Sequence, residues 1–124
     1  KLVEEVAAHR ARAQWESTPP GVDSVRRLRG GDGMTLDELR AFAVACAALP
    51  GTVFAGAFRA TRTIALAVSA DLDANAGTLL KNELQSVGGR GGGSPRTAQG
   101  TVPLDAQVDA VLDALLGTTI SRVP

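Results

Sequence analysis

Apolar positions along this chain switch repeatedly between a helical and an extended period. Residues 1–16, KLVEEVAAHRARAQWE, hold neither Gly nor Pro, and Leu2, Val6, His9 and Ala13 recur at steps of four, three and four. That spacing predicts an N-terminal helix with a stripe close to a heptad repeat. STPPG at 17–21 ends it, because proline cannot continue a helix. Residues 22–29, VDSVRRLR, predict a first strand, and GGDG a turn after it. Thr35 and Glu38 form a T-x-x-E capping box, which Met34 and Leu39 staple, so a helix is predicted over 36–48, before Pro50-Gly51. TVFAGAF (52–58) and TIALAVS (63–69) are apolar or small throughout. They predict two strands covered by helices on both faces, joined by RATR as a hairpin with Arg59 and Arg62 at its tip. Ala76, Leu79, Leu80 and Leu84 mark a helix over 74–86, and Leu104, Val108, Val111, Leu112 and Leu115 an amphipathic helix reaching Gly117. The segment between these two helices is expected to be a loop. The order predicts an α/β fold: a small layered domain, 22–124, with a mixed sheet covered by helices and preceded by the helix of 1–16.

Composition narrows the classes of function. A chain of 124 residues suits one domain with one modest core. Its 3% aromatic content, Trp15, Phe42, Phe54 and Phe58, argues against a platform of exposed rings for single-stranded nucleic acid. Thirteen basic and thirteen acidic residues cancel, so any nucleic-acid contact comes from a local patch. All the basic residues but Lys1 and Lys81 are arginine, whose fork suits phosphates and carboxylates. One cysteine makes no internal disulfide. No apolar run approaches about 20 residues, and no signal-peptide pattern is present, so a cytoplasmic protein without membrane contact is expected. The helical character at Lys1 suggests a piece of a longer chain whose upstream domains are partners.

Four candidate sites have plain structural explanations. His9 has only Glu5 as a near carboxylate and no second metal ligand beside it. Cys46, in AFAVACAAL, reads as a small buried hydrophobe. Asp71 and Asp73 resemble a carboxylate pair after a strand, but capping and turn chemistry before Asn75 account for them. In RRLR, Arg27 and Arg29 would share one strand face, where pairing with neighbouring acids competes with RNA contact.

The most specific segment is VGGRGGGSPRTAQG, 87–100, with six glycines in fourteen positions. A linker is a poor reading, because the one helix beyond it cannot bury its apolar face alone. No start between Gly88 and Gly93 gives G-x-G-x-x-G, and the chain has no Gly-Lys dipeptide for a P-loop. Two readings stay open. The glycines expose successive N–H groups as an anion nest, bracketed by Arg90 and Arg96 with the Ser94 hydroxyl beside it. Alternatively, they let the segment pack tightly on a neighbouring element.

GGRGGGSPRTAQG resembles the closing motif of the C-terminal domain of alanyl-tRNA synthetases, shared with freestanding alanyl-tRNA editing proteins and, as a variant, with DHH-family phosphoesterases. The approach through Asp71 and LLKNEL is similar too, so the resemblance spans about residues 35–116. Synthetases usually carry Arg or Lys at Ser94 and an acidic-Met pair at Arg96-Thr97, whereas phosphoesterases carry a substrate-holding His at Ser94. The Ala98-Gln99 pair sides with the tRNA relatives. The resemblance implies a non-catalytic tRNA-binding module of a parent enzyme, with no cofactor of its own. The alternatives are the substrate-binding half of a phosphoesterase and a homodimerisation domain. The expected nucleic-acid contacts are Gly88, Gly89, Arg90, Gly91, Gly92, Gly93, Ser94, Arg96 and Gln99, with Arg59, Arg62 and Lys81 beside them.

Overall fold

The computed structural model describes residues 2–21 and 23–120, with side chains from Glu5 onward. In chain order the elements are α1 (Leu2–Ser17), β1 (Arg26–Gly30), α2 (Leu36–Ala47), β2 (Thr52–Phe58), a 3-10 turn (Arg59–Thr61), β3 (Thr63–Val68), α3 (Ala76–Gln85), β4 (Arg90–Gly93), β5 (Thr97–Thr101) and α4 (Ala106–Leu116). The strands form one mixed sheet in the order β1-β2-β3-β5-β4. β1 runs parallel to β2, and every other neighbouring pair is antiparallel.

Alternation along β2 and β3 builds two cores. Phe54, Ala65 and Ala67 point to one face, where Leu28 of β1 joins them under Leu39, Phe42 and Cys46 of α2 and Ala11 of α1. Val53, Ala55, Ile64, Leu66 and Val68 point to the other, against Leu80 and Leu84 of α3 and Val108, Leu112 and Leu115 of α4. The expected helical cover on both faces is therefore present, in three layers. The capping box forms as the sequence predicts: the Thr35 hydroxyl accepts from Glu38 N–H at 3.1 Å, and the Glu38 carboxylate accepts from Thr35 N–H at 2.8 Å. Asn75 caps α3 by accepting from Thr78 N–H at 3.0 Å.

Three expectations need correction. The α1 stripe is not Val6, His9 and Ala13, which are exposed; the Leu2 side chain lies outside the described residues. Ala7 and Ala11 are buried instead, because small side chains let α1 lie close on α2. The first strand begins at Arg26 rather than at 22, since Asp23 and Ser24 form a turn, with Ser24 at φ 64° and the Asp23 carboxylate accepting from Val25 N–H. Val22 and residues 121–124 of the predicted domain lie outside the described residues. The third correction is the glycine segment, which is a β-hairpin, β4–β5, and not a loop.

That hairpin explains most of the glycines. Opposite Gly91 and Gly100 lies Leu84 of α3; a Cβ on Gly100 would stand 2.3 Å from the Leu84 Cδ1, and one on Gly91 2.7 Å from it. Gly77 at the start of α3 meets the carbonyl of Gly93, 2.5 Å from where a Cβ would be. The helix lies directly on bare backbone. Gly92 is the exception: a Cβ there would have no heavy atom within 4 Å.

Charged pairs fasten the far end of the sheet. Arg27 donates to both Asp23 oxygens, at 3.1 and 2.8 Å, and to the carbonyl of Thr118 after α4. The Arg27 guanidinium holds the Asp23 carboxyl down at about 2. Because this folded-state value is depressed, the stabilisation is complete above about pH 4 and is lost as pH falls through about 2. A carbon-detected NMR titration of Asp23 should give a midpoint near 2 in the native protein and a clearly higher one in Arg27→Ala.

The packing on Leu84 makes a second expectation. Gly91→Ala or Gly100→Ala should destabilise by about 1–3 kcal/mol, as overpacking does, whereas Gly92→Ala should stay within about 0.5 kcal/mol of wild type. Urea unfolding of the three variants separates these outcomes.

Candidate nucleic-acid interface

The α2 helix covers β2 and β3 but not β5 and β4, so one face of the β4–β5 hairpin is open. Register and alternation decide what stands on it. Gln99 lies opposite Ala65 and Gly92, and Thr101 opposite Thr63 and Arg90. Side chains in one register row share a face, so Arg90, Gly92, Thr97, Gln99 and Thr101 all belong to the α2 side. Gly91 and Gly93 belong to the α3 side. β4 thus shows two opposite characters: glycine forced by a helix on one face, and a free surface on the other.

Two depressions lie along this ledge. The first is a groove of about 210 Å³ lined by Arg40, Ala43 and Val44 of α2, Ala65, Gly92, Gly93, Thr97, Ala98 and Gln99. Val44 is 61% exposed and forms its apolar side. Arg40 Nε donates to Gln99 Oε1 at 2.8 Å, and Arg40 also pairs with Asp37 at 3.6 Å. The second depression, at the other end of the hairpin, is lined by Thr61, Arg62, Gly88, Gly89, Arg90, Thr101, Val102 and Pro103. Arg62 sits in the left-handed region at φ 55°; its Nε donates to the carbonyl of Val102 at 3.1 Å, with Asp105 at 3.8 Å.

The expected contacts divide by what their side chains already do. Arg96 donates to the carbonyls of Val68, Ser69 and Ala74, clamping the end of β3 to the approach of α3. Ser94 accepts from the N–H groups of Arg96 and Thr97, closing the β4–β5 turn. Arg59 is paired with Asp109 at 2.8 Å and Asp32 at 3.8 Å. Asp109 holds the Arg59 guanidinium above its ordinary range, and Arg59 in turn holds Asp109 below its own. Arg90 and Lys81 carry no hydrogen bond, ion pair or ring contact with any described residue. Both are exposed. Lys81 stands four residues after Gly77 and three before Leu84, on the helical stripe that meets β4.

The anion nest does not form over 90–93, because these residues are extended and paired to β5; of the residues from 87 to 100, only Gly88 has a positive φ, of 80°. The N–H groups of Ala76 and Gly77, which open α3, are taken by the carbonyls of Pro95 and Ser94. Asp71 and Cys46 have structural roles. Asp71 accepts from Gly51 N–H through both oxygens at 3.0 Å. Burial pushes the Cys46 thiol up to about 12. His9 is exposed. Arg29 on β1 is paired with Asp109 and Asp113 of α4, sharing the face of Arg27 as the sequence suggests, while Arg26 lies over the Trp15 ring at 4.0 Å. Among the described residues there is no cluster of three or more metal-ligating side chains, and no helix long and apolar enough to cross a membrane.

Arg40 and Val44 were not apparent from sequence as members of this surface. Their helical spacing signals only which face of α2 is buried, and nothing local indicates that β5 lies beside that helix.

The model of the DHHA1 domain matches residues 25–119. The chain belongs to this family. Its fold is also similar to the C-Ala domain from Aquifex aeolicus alanyl-tRNA synthetase, with a TM-score of 0.55 and 24% identity, over 78% of this chain and 96% of that one. No curated protein matches it. In this DHHA1 domain, then, the glycine-rich motif is the hairpin that α3 sits on, and the hairpin's other face is open.

Arg96 and Arg90 should behave oppositely on substitution. Arg96→Ala removes charge-assisted bonds to three carbonyls and should cost about 1–3 kcal/mol. Arg90→Ala should change stability by no more than about 0.5 kcal/mol. Thermal unfolding of both variants tests the division.

Proposed function

We propose that this DHHA1 domain is a non-catalytic RNA-binding module, gripping structured RNA of the tRNA type on behalf of a parent enzyme, an alanyl-tRNA ligase or an alanyl-tRNA editing hydrolase, in the cytoplasm. The observation that carries the reading is the position of the uncommitted cations. Arg90 on β4 and Lys81 on α3 flank a strand with no side chains to obstruct approach, while Arg59, Arg29 and Arg27 are held by carboxylates. Arg62, loosely paired, stands beside Arg90 in the second depression. Similarity to a domain of an alanyl-tRNA synthetase supports tRNA as the RNA concerned. A few arginines and one lysine around backbone suit phosphate and ribose contacts, which position an RNA without reading its sequence.

The contact surface is accordingly Arg90, Lys81 and Arg62 around the glycines of β4. Ser94 and Arg96 support it from within the fold. Affinity for a tRNA transcript should fall steeply with salt. Arg90→Glu and Lys81→Glu should each weaken binding and lower the salt slope by about one, with circular dichroism unchanged. Equal binding by the double variant and the wild type across a salt series would remove the assignment.

A further inference from the structure

The 210 Å³ groove beside Gly92 has a chemistry of its own. Arg40 can only donate, so its bond to Gln99 fixes which end of the Gln99 amide is oxygen. Oε1 accepts from Arg40 at 2.8 Å, and Nε2 is left with no partner among the described residues. The groove therefore presents a held N–H donor. One side is the apolar Val44, and the floor at Gly92 is bare peptide. Packing does not require glycine at this position, since a Cβ would meet nothing. The volume is below the roughly 300–1,000 Å³ of sites that enclose whole small molecules, and suits one flat ring system. Arg90 stands two residues along the same strand face, about 7 Å away, on the face of β4 that Gly92 also occupies.

Resting on the RNA-binding reading, we infer that this groove takes a single unstacked base of the bound RNA. The ring lies on the Gly92 peptide against Val44, the Gln99 Nε2–H donates to an acceptor on the base edge, and a neighbouring phosphate meets Arg90. Unpaired bases can be splayed out and read on their edges in this way, whereas paired ones are not accessible. Arg40 is a positioning residue: it touches no ligand, but it keeps the donor end of the Gln99 amide turned outward.

The test uses two RNA hairpins of equal length, one fully paired and one with a single bulged guanosine. The intact chain should prefer the bulged hairpin by about tenfold. Gly92→Val fills the floor from a Cβ that meets nothing within 4 Å, and Gln99→Glu keeps the bond to Arg40 but has no N–H to give. Each variant should bring the preference close to one. Gly92→Val should leave affinity for the paired hairpin within about twofold, and the ratio cancels the charge added by Gln99→Glu. A preference retained in Gly92→Val, or absent in the wild type while the paired hairpin still binds, overturns the groove and leaves the RNA-binding reading standing. Failure of the wild type to bind either hairpin at low salt overturns both.

Discussion

Everything around the glycine hairpin depends on one contact, the Leu84 side chain of α3 against the backbone of Gly91 and Gly100. A helix normally packs on a sheet through two layers of side chains, about 10 Å from axis to sheet. Here the sheet contributes none over β4 and half of β5, so the helix approaches until leucine touches main chain. The approach brings the start of α3 within reach of the hairpin turn, whose Ser94 and Pro95 carbonyls accept the first N–H groups of the helix. Arg96 completes the junction by tying β3 to the segment before α3. A run that looks like spare flexibility is thus among the most constrained parts of the fold.

The same constraint leaves the opposite face available. A strand has two faces, and α3 dictates only one. On the α2 side the sheet is wider than its helical cover, because α1 and α2 pack over β1, β2 and β3 while β5 and β4 extend beyond them. Ionic pairing also sorts the arginines. Those near α4 find aspartates and contribute mainly to fastening elements, a modest gain for exposed pairs. Arg90 and Lys81 find none among the described residues, and their charge stays exposed. A chain of zero net charge can in this way carry a local positive surface.

Much of this was legible in the sequence where one local signal decided the outcome. The capping box fixed the start of α2, and unbroken apolar runs identified β2 and β3 as strands covered on both faces. The membership of the family was visible in GGRGGGSPRTAQG. The sequence failed where tertiary contact decided. Glycine has poor strand propensity, so β4 read as a loop; what makes it a strand is β5 on its edge and α3 on its face. The α1 stripe was misread because alanine carries little hydrophobic signal, although Ala7 and Ala11 make the contact. Arg96 and Arg90 look equivalent in the motif. Only the three carbonyls around one of them tell the clamp from the free cation.

The one-sided burial of β4 has a consequence for how such a surface changes over generations. Positions 91 and 100 admit no side chain without displacing the helix, and position 93 none without displacing β5, so drift there is closed. Positions 90 and 92 are interleaved with them yet carry no such veto. A lineage can therefore retune what this ledge accepts through two codons of a four-residue strand, with the fold's own requirements confined to the alternate ones.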